Sequence, residues 1–303
     1  MAVLILTLVL GGALLLLAWW AKRRQTRRLA TVATEELAIW SAELGRAVRV
    51  QVFLPPGYAA DGQRHYPVLY LNDGQDAARL GLRETLVRQV ARGRLTPLIV
   101  VAVFSDQQRL HEYGTAVAPN AQGLGGRAAA YSRFLVEVLL PLIDGRYRTR
   151  SDLEERGLLG MSLGGLAAFE IAWRHPERFG VVGVMSGSFW WRAGDELEAG
   201  SDVGARRRIT HEMVRRSRGR QPGRPRIWLQ AGTRDERADR DNNGVIDAIQ
   251  DTLELMDELA ALGYNKGVEM VYVEALGGRH RPSTWADMLP RFLTWAFPGP
   301  RQA

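Results

Sequence analysis

Arg156-Gly157-Leu158-Leu159-Gly160-Met161-Ser162-Leu163-Gly164-Gly165-Leu166 decides the fold of this chain. A strand-like run, Arg156 to Leu159, enters a Gly-x-Ser-x-Gly turn, and an apolar helix, Ser162 to His175, leaves it. A serine on so tight a turn is pushed out above the edge of a sheet. Its neighbours must be glycines, because side chains there would strike the strand or the helix. The next amide, that of Leu163, points to where an oxyanion would form. The plainer alternative is a glycine-rich turn that only packs a helix on a sheet.

The same alternation extends on both sides. Seven segments read as strands: Val48 to Leu54, Pro67 to Leu71, Leu98 to Val103, Arg156 to Leu159, Val181 to Met185, Arg226 to Gln230 and Glu269 to Val273. The first alternates Val48, Val50, Val52 and Leu54, as a strand with one buried face should. The continuous apolar runs suit central strands covered on both faces. Helical stretches fall at Leu82 to Ala91, Arg127 to Leu142, Ser162 to His175, Ile249 to Leu262 and Trp285 to Phe297. Strands alternating with helices mean an α/β fold with a mainly parallel central sheet flanked by helices. With 303 residues, 46% of them hydrophobic, the chain can build one large core.

A nucleophilic serine on such a turn calls for an acid and then a histidine downstream. Of the five histidines, only His280 follows the final strand, on the glycine-rich loop Gly277-Gly278-Arg279-His280. The strand Arg226 to Gln230 ends in Ala231-Gly232-Thr233-Arg234-Asp235-Glu236, at a carboxyl end where catalytic groups gather. Asp235 is the preferred acid; Glu236 and Asp239 compete with it, and no spacing rule separates them. Neutral His280 would take the Ser162 proton, and Asp235 would orient the imidazole and stabilise its cation. Leu163 supplies one oxyanion amide. The second is expected from Asn72-Asp73-Gly74-Gln75-Asp76, with the Gln75 amide as donor. Trp190 stands beside the nucleophile as a candidate substrate wall. Arg109 and Glu112, near Tyr113, would either bind polar groups of a substrate or hold a loop as ion pairs.

These segments resemble the esterase D and enterochelin-esterase branch of the α/β-hydrolases, related to feruloyl esterases and mycolyltransferases. The pieces that match are Leu54-Pro55-Pro56-Gly57-Tyr58, Tyr66 to Leu71, Asp73-Gly74-Gln75, Arg109 with Glu112-Tyr113, Gly160 to Gly165, Ser186 to Trp191, Gly232 to Asp235, and Gly277 to His280 with Trp285. They span about Gly45 to Phe297. The resemblance implies an α/β-hydrolase that cleaves carboxylic esters, with Ser162, Asp235 and His280 on the triad positions. The Asp-Gly-Gln of the oxyanion loop departs from the His-Gly-x-Gly of many lipases.

The amino terminus carries a separate signal. Ala2 to Ala21 holds no charge, and as a helix it would span roughly 30 Å, one bilayer core. Trp19 and Trp20 close it, and Lys22, Arg23, Arg24, Arg27 and Arg28 follow. The expected layout is a transmembrane anchor over 1–21, a basic juxtamembrane linker and first strand region over 22–44, a catalytic domain over 45–298 and a tail over 299–303. The positive-inside rule puts the catalytic domain in the cytoplasm. The frequent export of the resembled family points instead to the periplasm or exterior. The absence of cysteine excludes disulfides and lipoprotein acylation.

The net charge is +7, and of 40 basic residues only Lys22 and Lys266 are lysine. The densest stretch, Arg206 to Arg226, reads as an inserted loop or cap near the site, solvated or facing anionic lipid or an acidic substrate. It lacks interleaved aromatics and any nucleic-acid module, so no nucleic-acid partner is expected. Asp239, Asp241, Asn243 and Asp247 fit the ligand positions of an EF-hand loop around Gly244, but Gln250 stands where the closing glutamate belongs. The two readings are a structural calcium site and an Asx-rich turn capping a helix. No cofactor is needed for the chemistry. The expected function is hydrolysis of a small-molecule ester through an acyl-enzyme. The alternatives are acyl transfer on the same fold, a membrane-tethered binding domain without turnover, and a calcium-dependent adhesion or sensing role.

Overall fold

The structure is a computed structural model, and it describes residues 32–150, 152–193, 208–217 and 224–300. Its strands are β1 (Ala33–Ser41), β2 (Arg46–Leu54), β3 (Val68–Asn72), β4 (Ile99–Val103), β5 (Arg156–Met161), β6 (Val181–Met185), β7 (Arg226–Arg234) and β8 (Met270–Arg279). Among the described residues they form one eight-stranded sheet in the order β1-β2-β4-β3-β5-β6-β7-β8. β1, β2 and β4 pair antiparallel, and every pair from β4 onward is parallel. β1 falls in the first strand region expected over 22–44, outside the seven segments given strand bounds. It lies at the sheet edge with most of its residues outside the core, so its hydrophobic alternation is weak.

The helices are α1 (Leu82–Ala91), α2 (Arg109–Glu112), α3 (Ala128–Arg133), α4 (Leu140–Arg146), α5 (Leu163–Arg174), α6 (Ile209–Arg216), α7 (Asp247–Ala261) and α8 (Pro282–Ala296). The single helix expected over Arg127 to Leu142 is instead α3, a π-helical turn over Phe134–Leu139, and α4. Pro141, in the first turn of α4, has no N–H to close an ordinary helical bond at that point. α6 falls within the arginine-rich stretch read as a loop. Its Ile209 and Val214 are buried, and its Arg215 pairs with Glu258 on α7. The rest of that stretch, 194–207 and 218–223, lies outside the described residues.

Every residue of β3, β4, β5 and β6 is buried, as strands covered on both faces must be. Strand periodicity divides them between two cores. Val68, Tyr70, Val101, Leu158 and Val182 face Phe134, Leu135, Leu166 and Phe169. Leu69, Leu71, Val100, Leu159 and Val181 face Leu86 of α1 and Leu289, Phe292 and Leu293 of α8. From β3 the chain moves to β4 on one side and to β5 on the other. The crevice outside the carboxyl ends of β3 and β5 is therefore the switch point, where open α/β sheets bind their ligands.

The placement as a single-pass membrane protein is corrected: among the described residues no helix is long and apolar enough to cross a membrane. The longest, α7 and α8, have 15 residues each and reach about 22 Å, short of a bilayer core. Ala2 to Ala21, which carried that expectation, lies outside the described residues.

Candidate active site

Ser162 occupies the turn between β5 and α5 with φ 55 and ψ −127. L-residues rarely adopt such a conformation, and it persists here because the surroundings over-determine it. The Ser162 amide donates to Met185 O, and its carbonyl accepts from the amides of Gly165, Leu166 and Ser188. A Cβ on Gly160 would lie 2.0 Å from Gly164 O, and one on Gly165 2.8 Å from Val184 Cγ1. Strand and helix thus touch backbone to backbone, and no side chain fits between them.

The sheet repeats the device. Asp73 follows β3 with φ 58, and Ser186 follows β6 with φ 50. Three neighbouring strands therefore end in non-glycine residues of positive φ, and these line one ledge at the switch point. Ser162 Oγ and His280 Nε2 lie 2.8 Å apart on that ledge, although 118 positions separate them in sequence. The imidazole meets Trp285 edge to face, at 5.3 Å between ring centroids. The Trp285 N–H donates to Ser186 Oγ, so the ledge holds the tryptophan that backs the histidine.

His280 titrates below its ordinary range. Loss of hydration lowers it, the Asp235 carboxylate opposes this, and the Arg109 guanidinium adds to it. A cleft of about 300 Å³ opens beside the imidazole, lined by Ser186, Ser188, Trp190, Asp235, Glu236 and Ala248 among others. Asp235 Oδ2 accepts from the Gly232 amide at 2.9 Å, whereas Oδ1 is buried without a hydrogen-bond partner. Glu236 lies in the same cleft. Loss of hydration raises its carboxyl above the ordinary range, the Ala248 amide counters that, and the charges of Asp247, Asp251 and Asp235 raise it further.

Asp239 is engaged elsewhere: Oδ1 accepts from the Asn243 amide and Oδ2 from that of Gly244. Its fellow calcium candidates also bond to neighbouring groups of the loop and of α7. Asn243 Oδ1 accepts from the Val245 amide, Asp241 Oδ2 from Gln250 Nε2, and Asp247 Oδ1 from the Arg240 amide. Among the described residues no group of three or more histidine, aspartate or glutamate side chains is arranged to hold a metal ion.

Leu163 opens α5, where a helical amide has no partner within its own helix. Gln75 sits in the 3₁₀ turn Gly74–Asp76 after β3. Arg109 forms a bidentate pair with Asp73 and so holds a loop. Glu112 is buried and accepts from Nε and Nη2 of Arg46, which leaves it no surface to offer a substrate. Trp190 is 45% exposed on the cleft wall, while Trp191 is buried. Sequence reasoning missed the polar web under the ledge. Asn72 Nδ2 donates to Gly164 O, Tyr131 Oη donates to Asn72 Oδ1, and Ser105 Oγ donates to Asp73. The one signal for it was Asn72-Asp73, two polar residues closing an apolar strand.

A family model described as "Putative esterase" matches residues 41–296. The Bacillus subtilis "Uncharacterized protein YbbA" is 28% identical over 147 residues, 47% of this chain and 58% of that protein. An endo-1,4-beta-xylanase/feruloyl esterase of Xylanibacter ruminicola is 30% identical over 166 residues, 50% of this chain and 21% of that protein. The match thus covers less than two thirds of either relative. Among solved structures, an enterochelin esterase from Shigella flexneri superposes with a TM-score of 0.67 at 21% identity, over 87% of this chain and 57% of that one. A ferulic acid esterase superposes at 0.64 and 20% identity, over 88% and 97%. Likeness at such identity speaks for the fold alone.

Proposed function

The chain belongs to the esterase family whose model spans residues 41–296, and from that premise we propose that it is a serine hydrolase of carboxylic esters working through an acyl-enzyme. One observation carries the reading: Ser162 Oγ, on a strained strand-to-helix turn, stands 2.8 Å from His280 Nε2. Ser162 Oγ–H donates to neutral His280, and as the proton passes to Nε2 the oxygen attacks the ester carbonyl carbon. The carbonyl oxygen gains negative charge and takes hydrogen bonds from the amides of Leu163 and Gln75, each worth about 3–4 kcal/mol in the transition state. The tetrahedral adduct collapses, and the departing alkoxide takes the imidazolium proton and leaves as the alcohol. Water repeats the sequence on the acyl-enzyme and frees the acid.

Asp235 supports the imidazolium. Its unpartnered Oδ1 and its charge on His280 favour it over Asp239, whose oxygens are both engaged. Glu236 shares the cleft, and loss of hydration there makes its charged form costlier than in water. Trp190 forms the wall against which the acyl or alcohol group packs.

The test is stoichiometric labelling of Ser162 by a fluorophosphonate, together with turnover of a panel of p-nitrophenyl esters. The expected result is one label per chain, lost in Ser162→Ala and strongly slowed in His280→Ala. Labelling that persists in Ser162→Ala, or proceeds at the parent rate in His280→Ala, overturns the assignment.

A further inference from the structure

Asp73 is an odd neighbour for an oxyanion. It is a carboxylate, 2% exposed, beside the first turn of α5, and a Cβ on Gly164 would come within 2.6 Å of its Oδ2. The Leu163 amide opens that same turn. An uncompensated negative charge there would oppose the charge that develops in the transition state. The structure compensates it fully. Arg109 Nε donates to Oδ1 and Nη2 to Oδ2, both at 2.7 Å, and Oδ1 also accepts from Ser105 Oγ at 2.8 Å and Gln75 Nε2 at 3.0 Å.

The backbone is held as tightly. Asp73 is left-handed, at φ 58 and ψ 50, and its amide donates to Tyr113 Oη. A Cβ on Gly74 would lie 2.7 Å from the carbonyl carbon of Ala102, so the loop is pressed flat against the end of β4. The Gln75 side chain is tied twice to Ser105, accepting from its amide and donating to its hydroxyl. Strain at one residue, contact at the next and side-chain bonds at the third restrain the Gln75 peptide.

Resting on the esterase reading, we infer that Asp73, clamped by Arg109, is a positioning residue of the reaction: it aims the Gln75 amide at the oxyanion, and Arg109 cancels the charge that this arrangement places there. Neither side chain touches the reacting atoms in this role. Arg109 has a second consequence, because its charge favours neutral His280 while that of Asp235 opposes it.

The experiment compares the parent, Asp73→Asn, Arg109→Gln and the double variant on soluble p-nitrophenyl esters, with melting temperatures and pH profiles. Arg109→Gln is expected to lower kcat about 100-fold with KM within about twofold, since an oxyanion exists only past the ground state. The acid limb of its kcat/KM profile moves to higher pH, because a charge that lowered the imidazole is gone. Adding Asp73→Asn recovers about tenfold in kcat, because the exposed negative charge is removed as well. A fold-supporting role alone predicts lower melting temperatures with kcat and pH midpoint unchanged in the folded protein. That result overturns the inference and leaves the esterase reading standing. Full turnover in Ser162→Ala overturns both.

Discussion

The loops after β5 and after β7 both bring a side chain to the surroundings of His280, yet they do so by different means. After β5 the backbone has no choice. Gly160, Gly164 and Gly165 close onto one another and onto Val184, and Ser162 takes the strained conformation they leave. After β7 the chain is longer and rich in carboxylates, and Asp235, Glu236 and Asp239 all lie within five residues. Contacts, not sterics, distinguish them there. Where backbone packing dictates a conformation, a short motif carries the information. Where several like groups share a loop, only the partners of each group do.

Ser162→Ala tests the steric side most severely. The expected loss in kcat is about 10⁵- to 10⁶-fold, read from initial rates on a p-nitrophenyl ester. A fall of less than about tenfold would break the comparison, since the turn would then serve packing alone. On the other loop, Asp235→Asn is expected to cost about 10³- to 10⁴-fold in kcat. Asp239→Asn leaves kcat at the parent value and costs about 1 kcal/mol in chemical denaturation through its lost turn bonds. Reversed outcomes would hand the acid to Asp239.

Gly160→Ala probes tightness without removing a reactive group. Its Cβ would enter the Gly164 carbonyl, and a loss of at least about 3 kcal/mol is expected in urea unfolding. The smallest effect is on pH. The base must be neutral, so kcat/KM is full above the folded pKa of His280 and falls as pH drops through it. Because burial holds that pKa down, the acid midpoint lies below the ordinary value of about 6.5. Asp235→Asn removes an upward influence and moves the midpoint lower still. A midpoint above about 6.5 in the parent would mean that Asp235 outweighs burial.

Much of this was legible in the sequence. Continuous apolar runs marked β3 to β6, and chain order separated His280 from four other histidines. His211 illustrates the difference: it is buried in the arginine-rich stretch with Nε2 against Asp251 O, where it reaches no nucleophile. Helix α6 was not legible because its apolar residues are few and set among charges. The Asp73–Arg109 clamp escaped because its partners are 36 residues apart. Glu112, beside Arg109 in sequence, is drawn to Arg46 on β2 instead. The uncharged amino-terminal run promised a membrane span that no described helix provides.

The linear order of residues determined the α/β alternation, the glycine-flanked serine turn and the one histidine that follows the last strand, because local sterics and hydrophobic period act over a few positions. It could not give the hydrogen-bond partners of three nearby carboxylates or foresee that Asp73, in the loop after β3, would be paired by the distant Arg109. Those outcomes were decided only when the parallel sheet set β3, β5 and β6 side by side. Electrostatic and hydrogen-bond energies depend on separation in space, and the sheet is what sets that separation.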